Sequence, residues 1–148
     1  MFLKKLKRFT KTINFLLKVD AIQKKRGMQC DRKGGCRMSY YRKKCDVEEV
    51  KAGNGHSSFP MLGEEEGCTN GCCGGISYYS STVYTPAAVH EDQEGFIVLS
   101  GSGWARIGGE EFAVEPETAF IAPAGTAHQM RSSDALVPLV LFWFHAQP

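Results

Sequence analysis

Two runs decide the fold: V-H-E-D-Q-E-G-F-I-V-L-S-G over residues 89–101 and E-T-A-F-I-A-P-A-G-T-A-H over residues 117–128. Each joins a histidine to a short apolar run punctuated by glycine or proline. Side chains alternate along an extended chain, so Glu94, Phe96 and Val98 share one face and Gly95, Ile97 and Leu99 the other. If Phe96 and Val98 point into a core, Glu94 points there too, at its mouth. A carboxylate in that position is costly unless something pairs with it. A metal ion held jointly with His90 and His128 is the natural partner.

The flanking sequence continues the pattern. Runs at 76–85, 94–99, 104–107, 111–114, 118–121, 128–131 and 137–145 are rich in Val, Ile, Phe, Tyr and Thr, with glycine or proline turns between them. Gly108-Gly109 makes a two-residue hairpin whose residues can take positive φ. Even spacing without an intervening helix predicts an all-β, antiparallel barrel or double-sheet jelly roll over residues 76–148. Closure of such a barrel removes exposed strand edges.

Before it, residues 38–75 read as a first edge strand or a single helical turn at 46–50, then a loop rich in glycine and cysteine. His56 reads as a surface residue of that loop. Cys68, Cys72 and Cys73 admit three readings: thiolate ligands to a soft metal, a redox pair, or free thiols in a glycine-rich loop. One C-x3-C-C without a matched second pair does not make a zinc site, which leaves free thiols favoured.

The 148 residues suffice for one domain burying roughly 68–70% of its unfolded surface. At 43% apolar and 23% charged, the composition excludes a wholly disordered chain. The net charge of +2 conceals an asymmetry, because residues 1–45 carry fifteen Lys/Arg against Asp20 and Asp31, and residues 46–148 carry three against fourteen Asp/Glu. Residues 1–37 form the basic arm. Within it, Leu3, Leu6, Phe9, Ile13, Leu16 and Leu17 recur at helical spacing, predicting a basic amphipathic helix over 2–25. Such a helix suits contact with an anionic membrane surface, whereas no nucleic-acid-binding module is recognisable. A rival reading starts the natural protein at Met38, because Lys33-Gly34-Gly35 can be encoded by a ribosome-binding sequence. No secretory signal or run of ~20 apolar residues is visible. Six cysteines in that context predict free thiols in a reducing cytoplasm.

The chain between residues 76 and 145 resembles the cupin superfamily, whose motifs run G-x5-H-x-H-x3–4-E-x6-G and G-x5-P-x-G-x2-H-x3-N. His90, Glu94 and Gly101 fall on the first motif; Pro123, Gly125 and His128 fall on the second. The resemblance implies a double-stranded β-helix barrel and a divalent metal site at His90, Glu94 and His128. Ala88 stands where the family has another histidine, Thr82 and Glu117 replace glycines, and Ser132 replaces an asparagine. Two imidazoles and one carboxylate suit Fe, with Mn, Zn or Ni as alternatives. Tyr78, Tyr84, Phe96, Phe120 and Trp143 are the candidate pocket walls. Asp92 and Glu91 flank His90 either as partners of its free ring nitrogen or as a solvated turn. Arg106 is expected in an exposed pair with Glu110 or Glu111, and His145 at an exposed C-terminal end.

Two functions follow from the resemblance: a small metal-dependent enzyme (dioxygenase, isomerase or lyase), or a metal-free domain that senses a sugar or organic acid. The fold does not choose between them. A small-molecule ligand is common to both. The apolar run 139–144 and the family's habits also predict a homodimer, with a central strand buried on both sides as the rival reading of that run.

Overall fold

The structure, a computed structural model, describes residues 39–147. The expected 2–25 helix, Cys30, Cys36 and the choice between Met1 and Met38 lie outside those residues. The described chain is almost entirely β, with strands β1 (Val50–Gly53), β2 (His56–Leu62), β3 (Cys73–Tyr79), β4 (Gln93–Ser100), β5 (Gly103–Ile107), β6 (Glu110–Val114), β7 (Ala119–Ala122), β8 (His128–Ser132) and β9 (Leu139–Ala146). Two short 3₁₀ turns, Lys44–Asp46 and Glu64–Glu66, complete it.

All pairings are antiparallel. One sheet runs β1-β2-β3-β9-β4-β7 and the other β6-β5-β8. The inner faces meet in a core of Tyr79, Phe96, Val98, Ala105, Val114, Ala122, Met130, Leu139 and Leu141. Val98 and Leu141 are paired across β4 and β9, at the centre of the larger sheet. The apolar last strand therefore lies between β3 and β4. Its inner face buries Leu139 and Leu141 in the core, while on its outer face Phe144 stays 41% exposed.

For the first part, one expectation is sharpened and one is corrected. Of the two readings of 46–50, the turn is realised just before it as the 3₁₀ turn Lys44–Asp46 and the edge strand begins at Val50 as β1, whereas the loop expected after Ser57-Ser58 is the seven-residue strand β2. Asn54 and Gly55, both at positive φ (50° and 71°), make the two-residue turn between β1 and β2. Asn-Gly is the sequence best suited to a hairpin turn with φ > 0 at both positions. Further along, β3 ends at Tyr79, so only the first part of 76–85 is strand.

The N-terminal end of the described chain is pinned to the barrel. Arg42 pairs with Glu65 (2.6 Å) and with the buried Glu66. Lys44 Nζ donates to Tyr78 Oη (2.8 Å) and lies over the rings of Phe59 and Tyr78.

Candidate metal centre

Four side chains from separate parts of the chain converge at one end of the barrel. Glu94 is the first inward residue of β4, in register with His145 on β9 and Ala122 on β7. His145 therefore stands directly beside it on the same face. His128 opens β8, where it pairs with Ile107 and, by an isolated bridge, with Ala88. His90 follows that bridge, and its carbonyl accepts the Gly125 N–H (2.8 Å). Gly125 takes φ 73°, in a turn closed by Thr126 N–H to the Pro123 carbonyl (3.0 Å). The Pro-Ala-Gly run thus sets the backbone of His90.

The Glu94 carboxylate is ringed by imidazoles. Its Oε2 lies 2.9 Å from His128 Nε2 and 3.2 Å from His90 Nε2, and its Oε1 lies 3.5 Å from His145 Nε2. His90, Glu94 and His145 each offer a donor atom, all within 4.8 Å of one another. The four side chains are 5–13% exposed, so the site opens to solvent only narrowly.

The other ring nitrogens decide the chemistry. His128 Nδ1 faces the Thr126 carbonyl at 3.3 Å. His145 Nδ1 faces both oxygens of Asp92 at 3.1 Å. Carbonyl and carboxylate oxygens only accept, so each Nδ1 is placed to donate, and a neutral ring in that tautomer keeps its lone pair on Nε2. These lone pairs turn toward Glu94, whose Oε2 is buried and makes no hydrogen bond of acceptable geometry despite the short distances. Lone pairs facing a carboxylate at such separations are stabilised by a cation among them, a metal ion or a proton on Nε2. Two nitrogen donors and one oxygen donor, from His90, His145 and Glu94, suit a first-row divalent ion.

Charge points the same way. Burial by itself pushes the Glu94 carboxyl up, but His128 and His90, with the charge of His145, outweigh it and hold the group at about 2. Burial pushes His90 down, yet Glu94 and then Asp92 leave it raised. The pocket is built for net positive charge beside Glu94.

The expected site residues divide. His90 and Glu94 come together as expected; His128 lies 2.9 Å from Glu94, but the donors within 4.8 Å of one another are those of His90, Glu94 and His145. Phe96 and Phe120 stack at 4.9 Å, and Phe96 lies 5.7 Å from the His128 ring. Trp143 packs edge-on against His145 at 5.6 Å and donates from Nε1 to Ser58 Oγ (3.1 Å). Tyr78 and Tyr84 do not line this pocket. Alternation along β3 turns Tyr79 inward, where it is buried and stacked on His56 (4.5 Å), and leaves Tyr78 on the outer face against Lys44 and Phe59. Tyr84 lies beside Arg106 and Arg131, which face away from the buried Ala105 and Met130 of their own strands.

Three further corrections concern polar residues. His145, expected exposed, is buried at the centre of the cluster. Asp92 pairs with His145 instead of facing solvent, and acts on His90 only through its charge. His56, expected on a surface loop, lies on β2 with Nε2 3.3 Å from Ser77 Oγ. Arg106 does pair with Glu111, as expected. Cys68, Cys72 and Cys73 are free thiols. Burial first, and then the charges of Asp92, Cys72 and Glu94, push the Cys73 thiol up to about 11.

The family model described as "Cupin domain" matches residues 79–145. The barrel, over residues 79–145, belongs to the cupin superfamily. Solved cupins share the fold at low identity. The cupin domain of Schizosaccharomyces pombe Cnp3 is 13% identical, with TM-score 0.59 over 70% of this chain and 71% of that one. An RmlC-like cupin from Shewanella frigidimarina is 11% identical, with TM-score 0.61 over 73% and 90%. A Thermotoga maritima protein described as a predicted oxalate decarboxylase is 13% identical, with TM-score 0.60 over 72% and 98%. No curated protein sequence matches the chain. Within the cupin pattern, this chain departs at Ala88, where an isolated bridge to His128 puts a methyl group. Its additional imidazole comes from β9.

Proposed function

We propose that this cupin binds one divalent metal ion through His90, Glu94 and His145, with His128 as a further ligand, and uses it to bind or transform a small organic molecule. The observation that carries the reading is the set of Nε2 atoms turned on a buried carboxylate while two of the rings commit their Nδ1 hydrogens elsewhere. Fe, Mn, Zn and Ni all suit such donors. When bound, such an ion supplies Lewis-acid or redox chemistry at positions the protein leaves open. The chain's own contribution is to hold the imidazoles by their second nitrogens and to exclude water with Phe96, Phe120 and Trp143. The small-molecule ligand is expected at the narrow opening beside them. We place this chemistry in the cytoplasm, where free thiols stay reduced; among the described residues no helix is long and apolar enough to cross a membrane.

The test is elemental analysis of the full 148-residue chain purified without chelator, beside His90→Ala/His145→Ala and Glu94→Gln. Near-stoichiometric Fe, Mn, Zn or Ni that is lost in both variants supports the proposal. Trace metal that does not respond to the substitutions overturns it and leaves a metal-free sensor of a sugar or organic acid.

We also propose a homodimer through the outer faces of β4, β7 and β9. There Ile97, Leu99, Ile121 and Phe144 are 40–48% exposed in one patch. Light scattering tests it: a monomer at micromolar concentration overturns it.

A further inference from the structure

We propose that Asp92 is a positioning residue that makes His145 a metal ligand, so that the last strand supplies the imidazole that Ala88 does not. The inference rests on the metal reading above. Ala88 and His128 exchange both backbone hydrogen bonds at 2.9 Å. Residues opposed in this way project to the same face, so a side chain at position 88 is aimed at the cluster. There it is a methyl group with no donor atom. His145, in register beside Glu94, carries the donor instead.

A histidine on a strand does not aim Nε2 by itself, because its ring turns about two side-chain bonds. Asp92 supplies the constraint. It sits in the bend between His90 and β4, 53 residues from His145 in sequence, and both its oxygens lie 3.1 Å from Nδ1. Both side chains are largely covered, 11% and 20% exposed. His145 Nδ1–H donates to Asp92, which leaves Nε2 unprotonated and directed at Glu94 Oε1. Trp143 closes the other side, edge-on to the ring. A carboxylate behind a ligating imidazole fixes its tautomer, raises the basicity of Nε2, and typically contributes about 10–100-fold in metal affinity. A mere ion pair at the rim would leave metal affinity untouched.

The experiment uses the full chain, stripped of metal and titrated with Zn²⁺ against a chromophoric chelator, as wild type, Asp92→Ala and Asp92→Asn. ¹⁵N imidazole NMR of the metal-free wild type at about pH 8, above the ordinary histidine range, reads the His145 tautomer. The expected results are an Nδ1–H tautomer at His145, Zn²⁺ affinity about 10–100-fold weaker in Asp92→Ala, and an intermediate loss in Asp92→Asn, whose amide oxygen still accepts but carries no charge. If Asp92→Ala fails to fold, Asp92→Asn, nearly the same shape, carries the test. Wild-type affinity in the folded variants, or an Nε2–H tautomer in the wild type, overturns the role of Asp92 while leaving the metal site intact. No Zn²⁺ binding by the wild type overturns the metal reading, and this inference with it.

Discussion

Acid is expected to destabilise this protein partly through the covered imidazole of His56. The His56 ring is stacked on Tyr79 at 4.5 Å and 5°, and its Nε2 lies 3.3 Å from Ser77 Oγ. Ser77 in turn donates to Ser58 (3.2 Å), which holds the Trp143 indole. Burial lowers the His56 pKa from 6.5 to about 4, against a smaller upward pull from Glu94. The native pKa lies below the unfolded one. Between about pH 6.5 and pH 4 the unfolded chain therefore holds a proton that the native state refuses, and stability falls as pH falls. Each pH unit in that window is worth about 1.4 kcal/mol, so the full span contributes roughly 3 kcal/mol. The perturbation is His56→Gln, whose amide can still donate to Ser77 but does not titrate. Urea unfolding between about pH 7.5 and pH 4.5 gives the stability of each protein. Carboxylates and the other histidines titrate in both, so they cancel in the comparison. The wild type is expected to lose roughly 2–3 kcal/mol more than the variant across that range. Superimposable pH profiles would refute a buried, neutral His56.

Two further substitutions test the barrel. Leu141→Ala, at a site with no exposure at the centre of β9, is expected to cost about 2–5 kcal/mol by transfer and cavity formation, measured by urea midpoint with an unchanged slope. Gly101→Ala is expected to cost about 2–4 kcal/mol: φ is 73°, and an added Cβ would lie 2.1 Å from the Pro138 carbonyl oxygen, which belongs to backbone and cannot swing aside.

The strands from β4 onward were legible because a strand buried on one face advertises itself by alternation. Glu94, Phe96 and Val98 do point inward together, and the glycine and proline turns lie where the runs break. Strand β2 was harder to read. Its inward residues, Ser58 and Pro60, are not apolar markers of a core face, since Ser58 is buried through the Trp143 and Ser77 hydrogen bonds. The Asn54-Gly55 turn carried the stronger signal, and given a hairpin there, residues 56–62 have to be its second arm. The aromatic walls divided for a related reason: Tyr78 and Tyr79 are adjacent, one must face out, and only the register of β3 against β9 says which.

The metal site shows a sharper version of the same lesson. Motif spacing located His90, Glu94 and His128, and it also located the gap at Ala88, but no motif marks a histidine on the last strand. Alternation does. Leu139, Leu141, Trp143 and His145 share a face of β9, so placing Trp143 in the pocket requires His145 to be there too. What hides this in the sequence is position, because a polar residue three from the end of a chain reads as a frayed terminus. The structure removes that reading by putting β9 between β3 and β4, so that even its last residues are paired on both edges: His145 with Cys73 on one side and Glu94 on the other. A residue so placed cannot escape to water. Its imidazole has to be satisfied inside, and Asp92 and the Glu94 cluster are the groups positioned to satisfy it.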